Sequence, residues 1–521
     1  MRIEKGGWAV IFLAGLALVA YSVHQYGLLD LSAVFGAPTV QPVEGARPAE
    51  PPRRLEPLPK DVQALSNEIR VRVNPRVGCA PGLVANGGLE TQQGSIYHRR
   101  GIRVRFEVID DWNEAAEALA GNRVDAMFTT ADVWARDYAR FRERGFGARA
   151  VMLAGWSRGA DGVIARQGIG SVEDLAGKTV AFAPHTPSHF LLWNGLRASG
   201  LSSEQRGQIL NRALHTKDGV EPALLFASQK VDAAVAWEPE MSDALAKRAG
   251  ASKLYDTAAA NRLVADIVVV SESYAEHNPK TLIAFIEGWL EAAAFTRDSP
   301  SRAYNLIGSV KDFNIPADAA KAMLAGVHLA DFADNRQFFG APNQDSDYTN
   351  IFRLANEMYR ELRLIRRIEN PEGSVDYRFL DSIGDRGVFP AESSERPARY
   401  RRPAPGATPV ATRRLYLWFP PNSAELVLDS RLAVDDLGRF LRAYGNTVVS
   451  IDGSTDSKDS RDAGTRLSKR RADAVRDYLA EKHGIARDRM QTGAAAGNAG
   501  SGSREQNGHT EFRVYLNPEA S

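Results

Sequence analysis

The apolar and polar positions of this chain fall into stretches of different period. Between about Ile69 and Leu380, short β-branched and apolar runs recur. They read as strands over 69–73 (IRVRV), 102–109 (IRVRFEVI), 125–129 (DAMFT), 179–183 (TVAFA), 231–237 (VDAAVAW) and 266–270 (DIVVV). Helical stretches lie between them, such as NEAAEALAG (113–121), SHFLLWNGLRAS (188–199) and PKTLIAFIEGWLEAAAF (279–295). This alternation predicts α/β architecture with largely parallel sheets and ligand sites at the strand C-terminal ends. A region of about 310 residues exceeds one compact core, so two lobes with a cleft between them are expected.

Two further patterns frame this region. Gly7–Val23 (GWAVIFLAGLALVAYSV) carries no charge and follows Arg2 and Lys5. It predicts a signal-anchor helix across the inner membrane, with a cytoplasmic N-terminus and the remainder periplasmic. The competing reading is a cleaved signal peptide cut near Ala20-Tyr21-Ser22, leaving a soluble periplasmic protein. Near the other end, Leu467, Ala474, Val475, Tyr478 and Leu479 recur as one helix face, and Arg471 stands inside that apolar stripe. A guanidinium there needs an anionic partner. Asp456 lies fifteen residues upstream, in a turn-rich loop after the strand-like TVVSID (447–452). Such a pair can hold a zwitterion, Arg471 taking the carboxylate and Asp456 the ammonium, or it can simply pin the helix to its loop.

Proline-rich segments set the domain boundaries. APTVQPVEGARPAEPPRRLEPLPK (37–60) and PAESSERPARYRRPAPGATPVAT (390–412) read as extended tethers. The expected organisation is a membrane segment over 1–30, a linker over 31–65 and a two-lobed domain over 66–389. Its second lobe spans about 155–262, and a linker over 390–412 leads to a small βαβαβ-type domain over 413–521. A net charge of +1 argues against nucleic acid as a partner. Hydrophobic and charged fractions of 44% and 25% are those of a globular protein. The single cysteine, Cys79, rules out an internal disulfide.

Candidate chemistry concentrates in AFAPHTPSHFLL (181–192). Thr186 is placed to cap a helix, with Pro187 in its first turn. Free backbone N–H groups, the Thr186 and Ser188 hydroxyls and the positive helix end would together favour an anion. His185 and His189 have the i,i+4 spacing of metal ligands but no evident third ligand, so no metal is expected. No GxxxxGK[ST] loop is present, and no cofactor is expected.

Two resemblances follow from these segments. LYLWFPPNSAEL (415–426), together with Thr455, Asp456, Leu467, Ser468, Arg471, Ala472, Val475, Tyr478 and Leu479, resembles the OmpA C-terminal-like family. That resemblance implies peptidoglycan binding through Asp456 and Arg471. Ser454, Gly464 and Phe512 depart from the family pattern. In the middle region, NGGL (86–89), GNRVDAMFTTAD (121–132), WSRGADGVIAR (156–166), IGSVEDLAGKTVAF (169–182), PALLFASQKVDAAVAWEPE (222–240) and LVADIVVV (263–270) keep a family's order. They are similar to the periplasmic binding proteins for nitrate, sulfonates, taurine and thiamine precursors. This implies a hinged, two-lobed fold with ligand contacts at Asn74, Gly78, Thr129, Thr130, Thr186, Ser188, His189, Trp237 and Glu238.

The expected function is a membrane- and cell-wall-tethered periplasmic protein that captures a small anionic or zwitterionic solute, for an ABC-type permease or for sensing. The alternative is an envelope-anchoring protein whose lobes dock a partner instead. An enzyme is not expected, because pyrimidine-forming relatives of this fold use clustered His and Cys and this chain has one Cys. A flagellar-stator role would need an intramembrane carboxylate, which Gly7–Val23 lacks.

Overall fold

The computed structural model describes residues 66–313, 315–395, 398–420, 422–453, 461–494 and 509–518. The membrane-helix expectation over Gly7–Val23 and the Pro-rich segment 37–60 lie outside these residues. No described helix is long and apolar enough to cross a membrane.

The first lobe begins with β1 (Glu68–Val73), β2 (Arg103–Val108), β3 (Ala126–Thr130) and β4 (Ala148–Ser157). The chain then crosses to a second lobe built on β5 (Asp161–Ala165), β6 (Val180–Phe182), β7 (Leu214–His215), β8 (Ala233–Trp237) and β9 (Ser252–Asp256). It returns through β10 (Ala265–Ser271) and β11 (Val327–Leu329). The first sheet has the order β11-β4-β10-β3-β1-β2 and the second β7-β6-β8-β5-β9.

Both sheets are mixed, a correction to the expected largely parallel arrangement. β1 pairs in parallel with β2 and β3, and β6 with β7 and β8. The strands that carry the chain between lobes pair antiparallel: β10 with β3 and β4, and β5 with β8 and β9. The reason is connectivity. A βαβ crossover keeps strand direction, whereas outgoing and returning strands that lie side by side must oppose one another.

The first lobe is filled by aromatic rings. Helix Pro279–Asp298 inserts Trp289, fully buried, against Phe128 (stacked, centroids 6.1 Å apart) and Phe106 (edge-on, 6.5 Å). Gly82 lets this ring approach, since a Cβ there would lie 2.4 Å from the indole. Loss of such a ring costs about 3–5 kcal/mol.

The two crossovers, 157–161 and 256–265, are bonded to each other. Ser157 Oγ donates to Asp161 (2.6 Å) and lies 2.8 Å from Thr257 Oγ1, and the Gly159 N–H donates to that same hydroxyl oxygen (2.8 Å).

The C-terminal module comprises β12 (Ala411–Tyr416), helix Leu428–Ala443, β13 (Thr447–Gly453), helix Arg461–His483, β14 (Met490–Ala494) and β15 (His509–Leu516). Its sheet order is β12-β15-β13-β14, so a further strand joins the expected βαβαβ pattern. β15 lies antiparallel between β12 and β13, with Phe512 opposite Ile451 and Val514 opposite Val449, all buried. Phe512 is therefore a core residue of this sheet.

The module is docked on the lobes. The Arg262 N–H donates to the Ala443 carbonyl (3.0 Å), and Asn446 Nδ2 to the Ala258 carbonyl (3.0 Å). Asn350 of the first lobe donates to the Arg439 carbonyl (3.1 Å), and Arg197 of the second lobe pairs with Asp436 (3.0 Å). The segment expected as a second tether is pinned as well. Glu395 pairs with Arg158 (2.9 Å) and Arg262 (3.0 Å), and the Ser394 N–H donates to Asp331 (2.6 Å). Further along, the Tyr400 hydroxyl donates to the Gly445 carbonyl (3.1 Å). Proline content predicted extension, but it carried no information about these polar side chains.

Burial opposes ionisation of Glu395, yet Arg158 and Arg262 outweigh it and hold the carboxyl below its usual range. Glu395→Ala leaves two partly buried guanidiniums short of a partner. It should lower stability by about 1–3 kcal/mol in urea unfolding and expose the 390–412 segment to proteolysis. Unchanged proteolysis would show that Glu395 does not hold this segment.

Candidate functional site

A cavity of about 540 Å³ lies between the lobes. The first lobe contributes Asn74, Arg76, Gly78, Asp110, Trp112, Thr130 and Asp266, the crossovers Ser157 and Asp161, and the second lobe Pro187, Trp237, Glu238 and Glu240. Asn74, Thr130 and Trp237 come from the C-terminal ends of β1, β3 and β8, and Pro187 opens the helix after β6. Register explains one pairing. Thr130 lies directly opposite Asp266 on β10, so both side chains face the cavity, while Thr129 is turned to the other face.

Arg72 fastens the first-lobe side of this site. Fully buried, it donates to the carbonyls of Ile109 (2.7 Å) and Phe128 (2.6 Å), tying β1 to the ends of β2 and β3. Cys79 fastens the loop after β1: its thiol donates to the Arg76 carbonyl (2.9 Å). Burial pushes that thiol far up, which keeps it a protonated, unreactive bracket.

Arg76 and Trp237 meet across the cleft, the guanidinium carbon 3.3 Å from the ring centroid. The far edge of the indole rests on Gly219, where a Cβ would fall 1.4 Å from the ring. Around this stack the lining is acidic: Asp110, Asp161, Asp266, Glu238 and Glu240 face a single arginine. Burial, and then the charge of Asp161, push Asp266 up to about 8. Burial raises Asp132, at the start of the helix after β3, to about 7, and also raises Asp161 and Glu240. Burial lowers the Arg76 guanidinium against the pull of Asp161, Asp110 and Asp266.

Of the expected contacts, Asn74, Gly78, Thr130, Trp237 and Glu238 line the cavity. Glu238 also has local work, accepting from the Ser242 hydroxyl (2.9 Å). Thr129, Thr186, Ser188 and His189 are buried outside the lining. The Thr186 hydroxyl donates to the Ala183 carbonyl (2.8 Å) and makes no cap. His189 Nδ1 accepts from the His185 N–H (3.3 Å), which assigns the proton to Nε2, and that atom has no partner. Burial lowers His189 to about 3 and His185 to about 4, so both are neutral at physiological pH.

Arg76, Asp161 and Asp266 escaped the sequence reading. Asp266 left a signal, an acid opening the otherwise apolar strand DIVVV, whereas Arg76 left none. Among the described residues, His328, Asp334 and Glu395 offer ligand atoms within 4.8 Å of one another. All three are internally partnered: His328 with Asp334 (2.7 Å), and Glu395 with two arginines.

In the C-terminal module, Arg471 Nε donates to the Ser423 carbonyl (3.0 Å), and its guanidinium lies 4.7 Å from the Phe419 ring centroid. The structure therefore joins the helix to the NSA-containing loop. Asp456 lies outside the described residues.

The raised carboxyls have a pH consequence. With folded values of about 7 and 8 against an ordinary value near 3.9, Asp132 and Asp266 keep protons that the unfolded chain has released. Their stabilising contribution is complete below about pH 4 and is lost as pH rises toward about 8. Asp266→Asn should flatten the fall in stability over that interval in urea unfolding at stepped pH. Identical slopes in both proteins would show that Asp266 titrates normally.

Residues 418–513 match the OmpA family, and residues 142–303 match the family described as NMT1/THI5 like. A peptidoglycan-associated lipoprotein of Rhizobium meliloti is 32% identical over 76 residues, 15% of this chain and 43% of that protein. Outer membrane porin F of Pseudomonas aeruginosa is 28% identical over 116 residues, 21% of this chain and 33% of that one. The chain thus spans less than half the length of these curated relatives. Among solved structures, the periplasmic aliphatic sulphonate binding protein of Escherichia coli aligns with a TM-score of 0.48 at 18% identity, over 60% of this chain and 99% of that one. The periplasmic nitrate-binding protein of Synechocystis PCC 6803 aligns with a TM-score of 0.47 at 10% identity, over 63% and 90%. One polypeptide therefore joins an NMT1/THI5-like region to an OmpA-family region.

Proposed function

We propose that this chain is an envelope solute-binding protein: the cleft captures a small charged molecule while the C-terminal module holds peptidoglycan. The carrying observation is the charged cavity at the strand ends between two lobes, in a chain whose C-terminal region matches the OmpA family. Of the two solute classes expected, the lining favours the zwitterion. The acidic lining offers a plain anion little counter-charge, while Arg76 supplies one for an acidic end. The captured solute is passed to an ABC-type permease or read as a signal, and Gly7–Val23 holds the chain at the inner membrane. Peptidoglycan binding is assigned to Arg471 and Asp456, in keeping with the name of the Rhizobium meliloti relative.

Native mass spectrometry of the full chain from its source cells should show a small zwitterion released on denaturation. A protein that is repeatedly empty would count against solute capture. For the module, Arg471→Ala and Asp456→Ala should each weaken co-sedimentation with purified sacculi by about 1.5–3 kcal/mol in apparent affinity, with helix content by circular dichroism nearly unchanged. A folded wild-type chain that stays in the supernatant would overturn the anchoring role.

A further inference from the structure

We propose that Arg76 holds the place of the solute's cationic group, which on binding displaces it from Trp237; this rests on the solute-binding reading above. Arg76 belongs to the first lobe and Trp237 to the second, so their 3.3 Å contact spans the space a solute must enter. The guanidinium forms no ion pair among the described residues, although Asp161 and Asp266 line the same cavity. A planar cation on an indole face, bordered by acidic side chains that a second cation can hold ionised, is an environment suited to a guanidinium, amidinium or protonated aromatic amine. Asp266 likewise has no ion-pair partner among the described residues and sits close to the chain, where Gly78 leaves room for its carboxylate. An incoming cation gives Asp161 and Asp266 a partner and takes the Trp237 face. The freed Arg76 guanidinium is then available to the acidic end of the same molecule.

The test is calorimetric titration of the full chain with two probes, ethylguanidinium chloride and sodium ethanesulfonate. Arg76→Ala, with Arg76→Gln as a second variant should the first fold poorly, should bind ethylguanidinium about tenfold more tightly than wild type, because the platform is vacated. Trp237→Leu should abolish that gain. If removing Arg76 brings no gain for ethylguanidinium, or costs ethanesulfonate binding alone, Arg76 is an anion grip and the proposal fails. A natural solute without a cationic group would also overturn it while leaving solute capture intact.

A different observation carries a second inference: the structure assigns to the C-terminal module control over the hinge. Ala258 and Arg262 on the returning crossover bond to Asn446 and Ala443 of the module, and Arg158 beside the outgoing crossover is joined to Arg262 through Glu395. The module also holds the first lobe at Asn350 and the second at Arg197. Bending of the crossovers changes these separations, so lobe closure and module docking share free energy, and whatever binds one side biases the other.

Spin labels at K230C on the second lobe and K280C on the first would report lobe separation in the full chain by pulsed electron resonance, Cys79 being buried. Purified sacculi should shift the wild-type distance distribution, and the double variant Glu395→Ala, Asp436→Ala should broaden it and lose the shift. The sacculi arm rests on the peptidoglycan reading above. A wild-type distribution unchanged when the chain co-sediments with sacculi, or a variant distribution identical to wild type, would overturn the coupling, whereas failure to co-sediment overturns the anchoring role instead.

Discussion

Every covalent link between the lobes runs through two short crossovers, and the arrangement of the cleft depends on how these are held. On the cavity side, Ser157, Asp161 and Thr257 bond one crossover to the other through hydroxyl and carboxylate groups. On the outer side, Arg262 pairs with Asp347 (3.2 Å) and Glu395 (3.0 Å), while Arg158 takes the remaining reach of Glu395. These are partly buried, charge-assisted contacts of good geometry, the class of ion pair whose disruption leaves an uncompensated charge behind. They place a small domain against the two crossovers of a larger one.

The cleft is the second electrostatic feature. Several acids with raised affinity for protons surround one guanidinium whose contact is a ring face rather than a carboxylate. Desolvation explains both directions, since burial disfavours either charge. Such a set is poorly satisfied by itself and well satisfied by a molecule that brings its own charges. The buried, inert Cys79 and the multiply bonded Arg72 serve this site from behind, fixing the loop and strand ends on which it is mounted.

In the module, Arg471 is held in place by the chain itself. Its Nε is committed to the Ser423 carbonyl and its face to Phe419, which orients the guanidinium beside the NSA loop. Phe512, which departs from the expected motif, is explained by packing: it fills the sheet core opposite Ile451.

Local pattern was enough for six strands of the two lobes, but not for β4, β5, β7, β9 and β11. The apolar runs at 69–73, 102–109, 125–129, 179–183, 231–237 and 266–270 each fall on a strand to within a residue or two, because burial and β-branching leave a mark in a few adjacent residues. The resemblance to the binding-protein family points to Asn74, Thr130 and Trp237, which line the cavity. Only the tertiary structure decided which strand ends face one another, that Asp161 and Asp266 make the cleft acidic, and that Arg76 reaches Trp237 from the opposite lobe. It also decided that a proline-rich segment is held by Glu395 beside the crossovers, and that Thr186 and His189 lie off the lining. Such pairings join residues far apart in the chain, 237 positions for Arg158 and Glu395, and no local period encodes them. They exist only once the cores of both lobes and the module have set the distances between their surfaces.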